Sequence, residues 1–146
     1  MKLKPPAPIP IEEYDKLAGL WTAAGHLYKS KGRDSQEAIE KQVAEETLRI
    51  IGVKTEAGDL AGAVLVSNDG RTGWLHRLVV HPDYRREGVA KSLLEAAERT
   101  LEEQGIGITA ALVYAENEAS LALFESAGFY DWPGIHYLSK RKDKDY

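Results

Sequence analysis

Residues 81 to 101 read HPDYRREGVAKSLLEAAERTL, a proline turn followed by an amphipathic helix. Between turn and helix stand Arg85, Arg86, Glu87, Gly88, Val89, Ala90, Lys91 and Ser92. The first N–H groups of a helix have no partner inside it and lie at the positive end of its dipole. Such a helix mouth binds anions, and phosphate is the usual guest. Gly88 leaves the backbone bare, and Ala90 keeps the next approach narrow. Arg85, Arg86 and Lys91 add positive charge, and Ser92 adds a hydroxyl. A solvated charged loop leading into a helix would use the same residue types, so both readings stand at this point. The chain has neither the Walker lysine pattern nor G-x-G-x-x-G, so the mononucleotide P-loop and the dinucleotide fingerprint do not apply.

A second chemical group lies just upstream. His76 sits two residues before Leu78 on an apolar run, and an imidazole near its ordinary pKa of about 6.5 suits proton transfer at neutral pH. A strand histidine that only packs or faces water is the plainer reading. The chain has no cysteine, which excludes disulfides, a thiolate nucleophile and a Cys-ligated metal. His76, His81 and His136 lack the spacing of a ligand cluster, so no metal is expected.

These residues need a scaffold. The chain has 146 residues, 43% hydrophobic and 29% charged, which suits one globular domain over 1–146. Its net charge of -4 argues against a nucleic-acid binder. No apolar run is long enough to span a bilayer, and the first residues lack a signal peptide's apolar core. The expectation is a cytoplasmic protein without membrane or nucleic-acid partners.

Residues 1 to 10 carry Pro5, Pro6, Pro8 and Pro10 and can add at most a short edge strand. From Ile11, Leu17, Leu20, Trp21, Ala24 and Tyr28 recur at helical spacing. Asp34 or Ser35 caps a second helix, with Glu37 placed as in a capping box. Strands are expected over 47–55, 60–67 and 72–80, with an Asn68-Asp69-Gly70 hairpin turn. The pattern predicts a helix over 88–104, a strand over 108–115, a helix over 117–128, and a strand pair around 129–132 and 135–140. The charged residues 141–146 read as a solvated tail. This order gives an α/β fold, a central mixed antiparallel and parallel sheet with helices on both faces. The segment from 74 to 115 should be a parallel crossover.

The run LVVHPDYRREGVAKSLL resembles the cofactor segment of the GNAT superfamily of acyl-CoA-dependent N-acetyltransferases, with Arg85, Gly88 and Ala90 at the core of the motif. A second match, NEASLALFESAGF over 117–129, lies at the spacing that the family shows. The resemblance covers residues 45 to 139 well and the first 45 loosely. It implies acetyl-CoA as co-substrate. Leu78, Val79 and Val80 would pair with the pantetheine arm as an added strand would, and main-chain N–H groups from Arg85 to Lys91 would cradle the pyrophosphate, with Ser92 also counted among the cofactor-binding residues. Asn117, with Ser120 one turn on, would face the pantetheine, and Phe124 would lie near the thioester sulfur. Pairing through the last strands, as a homodimer, is also implied.

The implied reaction moves an acetyl group directly to a primary amine in a ternary complex, since no cysteine can hold it. The acceptor class is a small amine or a protein N-terminus. An amine with a pKa near 10 is about one-thousandth neutral at pH 7, so some group must take its proton. His76 is the expected base, the N–H of Val79 or Val80 the expected oxyanion donor, and Tyr114 or Tyr130 the hydroxyl that could serve the leaving thiolate. Strand alternation puts His76 and Arg77 on opposite faces. The position at which many relatives place a catalytic tyrosine holds Phe124 here, which supports a rival reading as a non-catalytic acyl-CoA sensor or interaction module. His26 and Trp21 are expected to pack, with the acceptor entering beside the first two helices.

Overall fold

The computed structural model describes residues 2–146; Met1, part of the proline-rich segment, lies outside them. Five strands form one sheet in the order β1 (Ala7–Pro8), β2 (Leu48–Lys54), β3 (Leu60–Asn68), β4 (Gly73–Val80), β5 (Thr109–Ala111). All neighbours run antiparallel except β4 and β5, which are parallel. Helices α1 (Tyr14–Ala23) and α2 (Gln36–Ala44) cover one face, and α3 (Val89–Glu103) with α4 (Glu118–Ser126) covers the other. The expected mixed sheet with helices on both faces is present.

The central strand β3 is apolar at nearly every position because both of its faces are covered. Val64 and Val66 face Leu93, Leu94 and Leu101 of α3, while Ala63 and Leu65 face Leu17, Leu20 and Trp21 of α1. Two glycines set how closely α3 approaches. A Cβ on Gly62 would stand 2.6 Å from Val89 Cγ1, and one on Gly73 would stand 2.4 Å from Leu101 Cδ1. The prolines near the N-terminus contribute only the two-residue edge strand β1.

Helix α1 stops a turn before Tyr28. Gly25 takes φ 75°, and the N–H of His26 reaches back to the Trp21 carbonyl, a Schellman closure. Ser35, not Asp34, caps α2, its hydroxyl accepting from the Ala38 N–H at 3.1 Å. Asp34 is buried and serves elsewhere.

Two expectations fail at the far edge. β5 ends at Ala111 instead of running to 115, and residues 129–140 form no strand pair among the described residues. Pro133 cannot donate to a ladder, Gly134 sits at φ 80°, and a three-residue β5 offers few groups to pair with. Tyr130, Trp132, Ile135, Tyr137 and Leu138 are left exposed. The charged tail is also not free: Lys29 Nζ donates to the Lys144 carbonyl at 2.8 Å. Among the described residues no helix is long and apolar enough to cross a membrane.

Candidate active site

β4 carries the centre of the site. Its register against β3 passes from Leu65↔His76 to Ala63↔Val79, so β4 holds one extra residue opposite Val64. Such a bulge bends a strand and re-aims its side chains. Arg77, at the bulge, takes φ 51°, in the left-handed region. The alternation expected from sequence therefore breaks. His76 stands opposite Leu65, and Arg77 lies 5.1 Å over the Trp21 ring, so both face the α1 and α2 side. The extra residue replaces the half-turn that would have separated them.

The bulge also explains the gap beside β4. β4 and β5 pair only over Gly73–Leu75 and Thr109–Ala111. Beyond Leu75, β4 continues to Val80 with that edge open. The N–H of His81 bonds the Ala61 carbonyl on β3. Strand N–H groups alternate in direction. The N–H of Val79 therefore turns toward β3, while those of Leu78 and Val80 turn toward the open edge.

The edge leads to the helix mouth. Gly88 is the N-cap of α3 at φ 77°, ψ 11°, and no side chain caps the helix. Arg86 is left-handed as well, at φ 65°. A Cβ on Gly88 would meet nothing within 4 Å, so the space beside this α-carbon is open. Arg85, Arg86, Glu87 and Lys91 are exposed around it. Ala90 is half-buried, and Val89 is buried with its side chain in the α3 core. Ser92 spends its hydroxyl proton on the Val89 carbonyl at 2.9 Å. An uncapped helix start with bare backbone fits the diphosphate of acetyl-CoA, and the open β4 edge fits its amide-rich arm.

On the other side of β4 the loop between α1 and α2 is drawn in. Arg77 Nη2 donates to Asp34 Oδ2 at 2.7 Å, and Nη1 donates to the Leu27 carbonyl at 2.7 Å. The same Asp34 oxygen accepts the Lys29 N–H at 2.8 Å, and the Asp34 carbonyl accepts the Tyr14 hydroxyl. His76 Nε2 is hydrogen-bonded to Ser67 Oγ at 2.8 Å. His76 is exposed, yet the surrounding chain pushes its pKa below the ordinary value. Desolvation is the largest cause; Arg33 and Arg77 act in the same direction, and Asp34 opposes them. The pKa of His26, half-buried on the loop, is lowered by burial, with Arg77 and Arg85 acting in the same direction.

Other expected residues fall elsewhere. Tyr114 lies beyond β5 in a loop and is 80% exposed. Asn117 caps α4, its Oδ1 accepting the Ser120 N–H at 3.1 Å. Phe124 is buried in the α3 core, edge-on to Phe129. His81 is structural: its Nδ1 accepts the Asp83 N–H at 3.1 Å. Among the described residues no group of histidines and carboxylates could hold a metal. Sequence reasoning missed the Arg77–Asp34 pair. Strict alternation conceals a bulge, and Asp34 looked like a cap.

The sheet opened beside β4 leads to a bare helix start, and comparison with known proteins says which family has this frame. Residues 14–129 match the model of the acetyltransferase (GNAT) family, and the chain belongs to that family. A curated relative, Acetyltransferase SG1711 of Sodalis glossinidius, is 26% identical over 137 residues, covering 92% of this chain and 94% of its own. The solved structure of AAC(6')-Iy in complex with a bisubstrate analogue superposes with a TM-score of 0.78 at 19% identity, over 97% of this chain and 99% of that one. The glucosamine-6-phosphate N-acetyltransferase of Arabidopsis thaliana gives a TM-score of 0.73 at 17% identity, over 98% and 100%. At these identities the two structures establish the fold.

Proposed function

We propose that the chain transfers the acetyl group of acetyl-CoA directly to a primary amine in a ternary complex. The carrying observation is the open edge of β4 from His76 to Val80, running into the uncapped N-terminus of α3. When bound, acetyl-CoA supplies an activated acetyl thioester. The N–H groups of Leu78 and Val80, with the Val80 carbonyl, hold the arm and the thioester carbonyl oxygen. Of the two oxyanion donors expected from sequence, we choose Val80, since the N–H of Val79 runs toward β3. Backbone N–H groups from Gly88 to Lys91 hold the diphosphate, with Arg85 and Arg86 beside it.

The amine attacks the acetyl carbon and its proton passes to His76. In the tautomer whose Nε2–H donates to Ser67 Oγ, Nδ1 is the basic nitrogen. The lowered pKa favours the neutral ring, which is able to accept a proton. Tyr114 faces solvent and Phe124 has no hydroxyl, so the thiolate leaves to water. That missing acid is the one observation favouring a non-catalytic acyl-CoA sensor. The exposed Tyr130, Trp132, Ile135, Tyr137 and Leu138, in a sheet whose last strand is β5, support pairing of two copies, which light scattering on a sizing column would show as twice the monomer mass.

The test is a thermal-shift titration with acetyl-CoA, CoA and dephospho-CoA, followed by an amine screen that detects free thiol. Ligand at 100 times its Kd adds about 2.7 kcal/mol, several degrees for this chain length. A shift followed by amine-dependent thiol release supports transfer. A shift without such release supports the sensor, and no shift removes the site.

A further inference from the structure

The charges around His76 are unevenly spent. Arg77, next to His76 on β4, holds Asp34 at 2.7 Å, and Arg33 stands 4.0 Å from the same carboxylate oxygen, so these three charges gather beside the face that carries His76. Asp34, the one carboxylate of the three, is 7% exposed at its side chain and is held by Arg77 Nη2 at 2.7 Å and by the Lys29 N–H at 2.8 Å. Its charge is thus matched inside the protein. Arg77 is matched in turn, since its second nitrogen bonds the Leu27 carbonyl and its plane covers Trp21.

Arg33 is different. Its Nε stands 4.0 Å from Asp34 Oδ2, beyond hydrogen-bond reach, and its side chain is 52% exposed. The guanidinium therefore faces water with its donors available, tethered one residue from the buried Asp34 anchor. Lys29 and Lys31 lie on the same loop, with Asp145 of the C-terminal segment packed against Gly32 and the Lys29 ammonium donating to the Lys144 carbonyl. A polycationic acceptor would meet the cations Lys31 and Arg33 on this wall. A guanidinium fork suits the two oxygens of a carboxylate or phosphate.

We infer that the acceptor is an amine that also carries an oxyanion, carboxylate or phosphate, and that Arg33 binds this group while the amine lies at His76. The inference rests on the reading that the acceptor approaches His76 beside α1 and α2. Its chemistry is recognition only: the oxyanion is held by two N–H donors, and the amine reacts as described above.

The test uses the whole protein, acetyl-CoA and two matched pairs: glucosamine-6-phosphate against glucosamine, and lysine against cadaverine. Thiol release gives kcat/KM for each. The anionic member of at least one pair is expected to exceed its partner by about tenfold or more, the worth of a charge-assisted bond. Which pair shows it tells phosphate from carboxylate. Arg33→Gln should bring the ratio close to one, and Arg33→Glu should invert it. Both variants should keep the acetyl-CoA thermal shift, because Arg33 is an exposed residue of the α1–α2 loop and not one of the residues assigned to the diphosphate. A preference for glucosamine and cadaverine, or a ratio unmoved by Arg33→Gln, overturns the inference. So does a protein that shifts with acetyl-CoA yet acts on none of the four. Loss of the shift in the unmodified protein overturns the site itself.

Discussion

Replacing Arg77 by methionine tests the joint between β4 and the α1–α2 loop. Arg77 and Asp34 are 17% and 7% exposed at their side chains and meet at 2.7 Å. Removing one partner of a buried pair leaves the other charged without compensation, at about 3–5 kcal/mol. Asp34 retains the Lys29 N–H, which places the loss near the lower end, about 3 kcal/mol. Methionine still covers Trp21, so little packing is lost. For a chain of 146 residues this lowers Tm by roughly 6–12 °C. Urea unfolding followed by circular dichroism measures it. Asp34→Asn alone should also destabilise, and the double variant should lose less than the sum of the two, the mark of coupled sites. A change within about 0.5 kcal/mol for Arg77→Met, the size of a surface pair, would refute the reasoning.

Other substitutions probe the remaining parts. His76→Ala should lower kcat by about 10²–10⁴-fold if His76 is the base. The acid limb of the unmodified enzyme should lie below the ordinary histidine value, since desolvation and two arginines favour the neutral ring, and it should vanish in the variant; a profile unchanged in shape would remove His76 from the role. Gly88→Trp fills the open space at the start of α3 and should abolish the acetyl-CoA thermal shift, with about 1–2 kcal/mol of left-handed strain visible in the ligand-free melt; an intact shift would place the diphosphate elsewhere. Gly62→Ala sets a Cβ 2.6 Å from Val89 Cγ1 and 2.9 Å from the Val79 carbonyl, and should cost about 1–3 kcal/mol in urea unfolding; an unchanged midpoint would mean that α3 is free to move outward.

Much of this was readable in the residue order. The periods of β2, β3 and β4, the helix starts at Gly88 and Asn117, and the two family motifs carry local signals that tertiary structure did not override. What was not readable depended on long-range geometry. The bulge at Arg77 leaves no mark in a run of apolar residues, yet it decides which side chains share a face and where β5 parts from β4. Asp34 resembled a helix cap until its partner 43 positions away was known. The segment after Gly128 has the residues of a strand pair, but Pro133 and the three-residue β5 leave it without a ladder to join. Tyr114 was read onto a strand that ends three residues before it.

The central claim is acetyl transfer at the β4 edge. Free thiol released from acetyl-CoA, followed across an amine panel with mass spectrometry of each acceptor, tests it most directly. The account predicts release that rises with amine concentration, an acetylated acceptor in equal amount, and loss of both in Gly88→Trp. Release at the same rate with and without amine, or no release from a protein that binds acetyl-CoA, would contradict it.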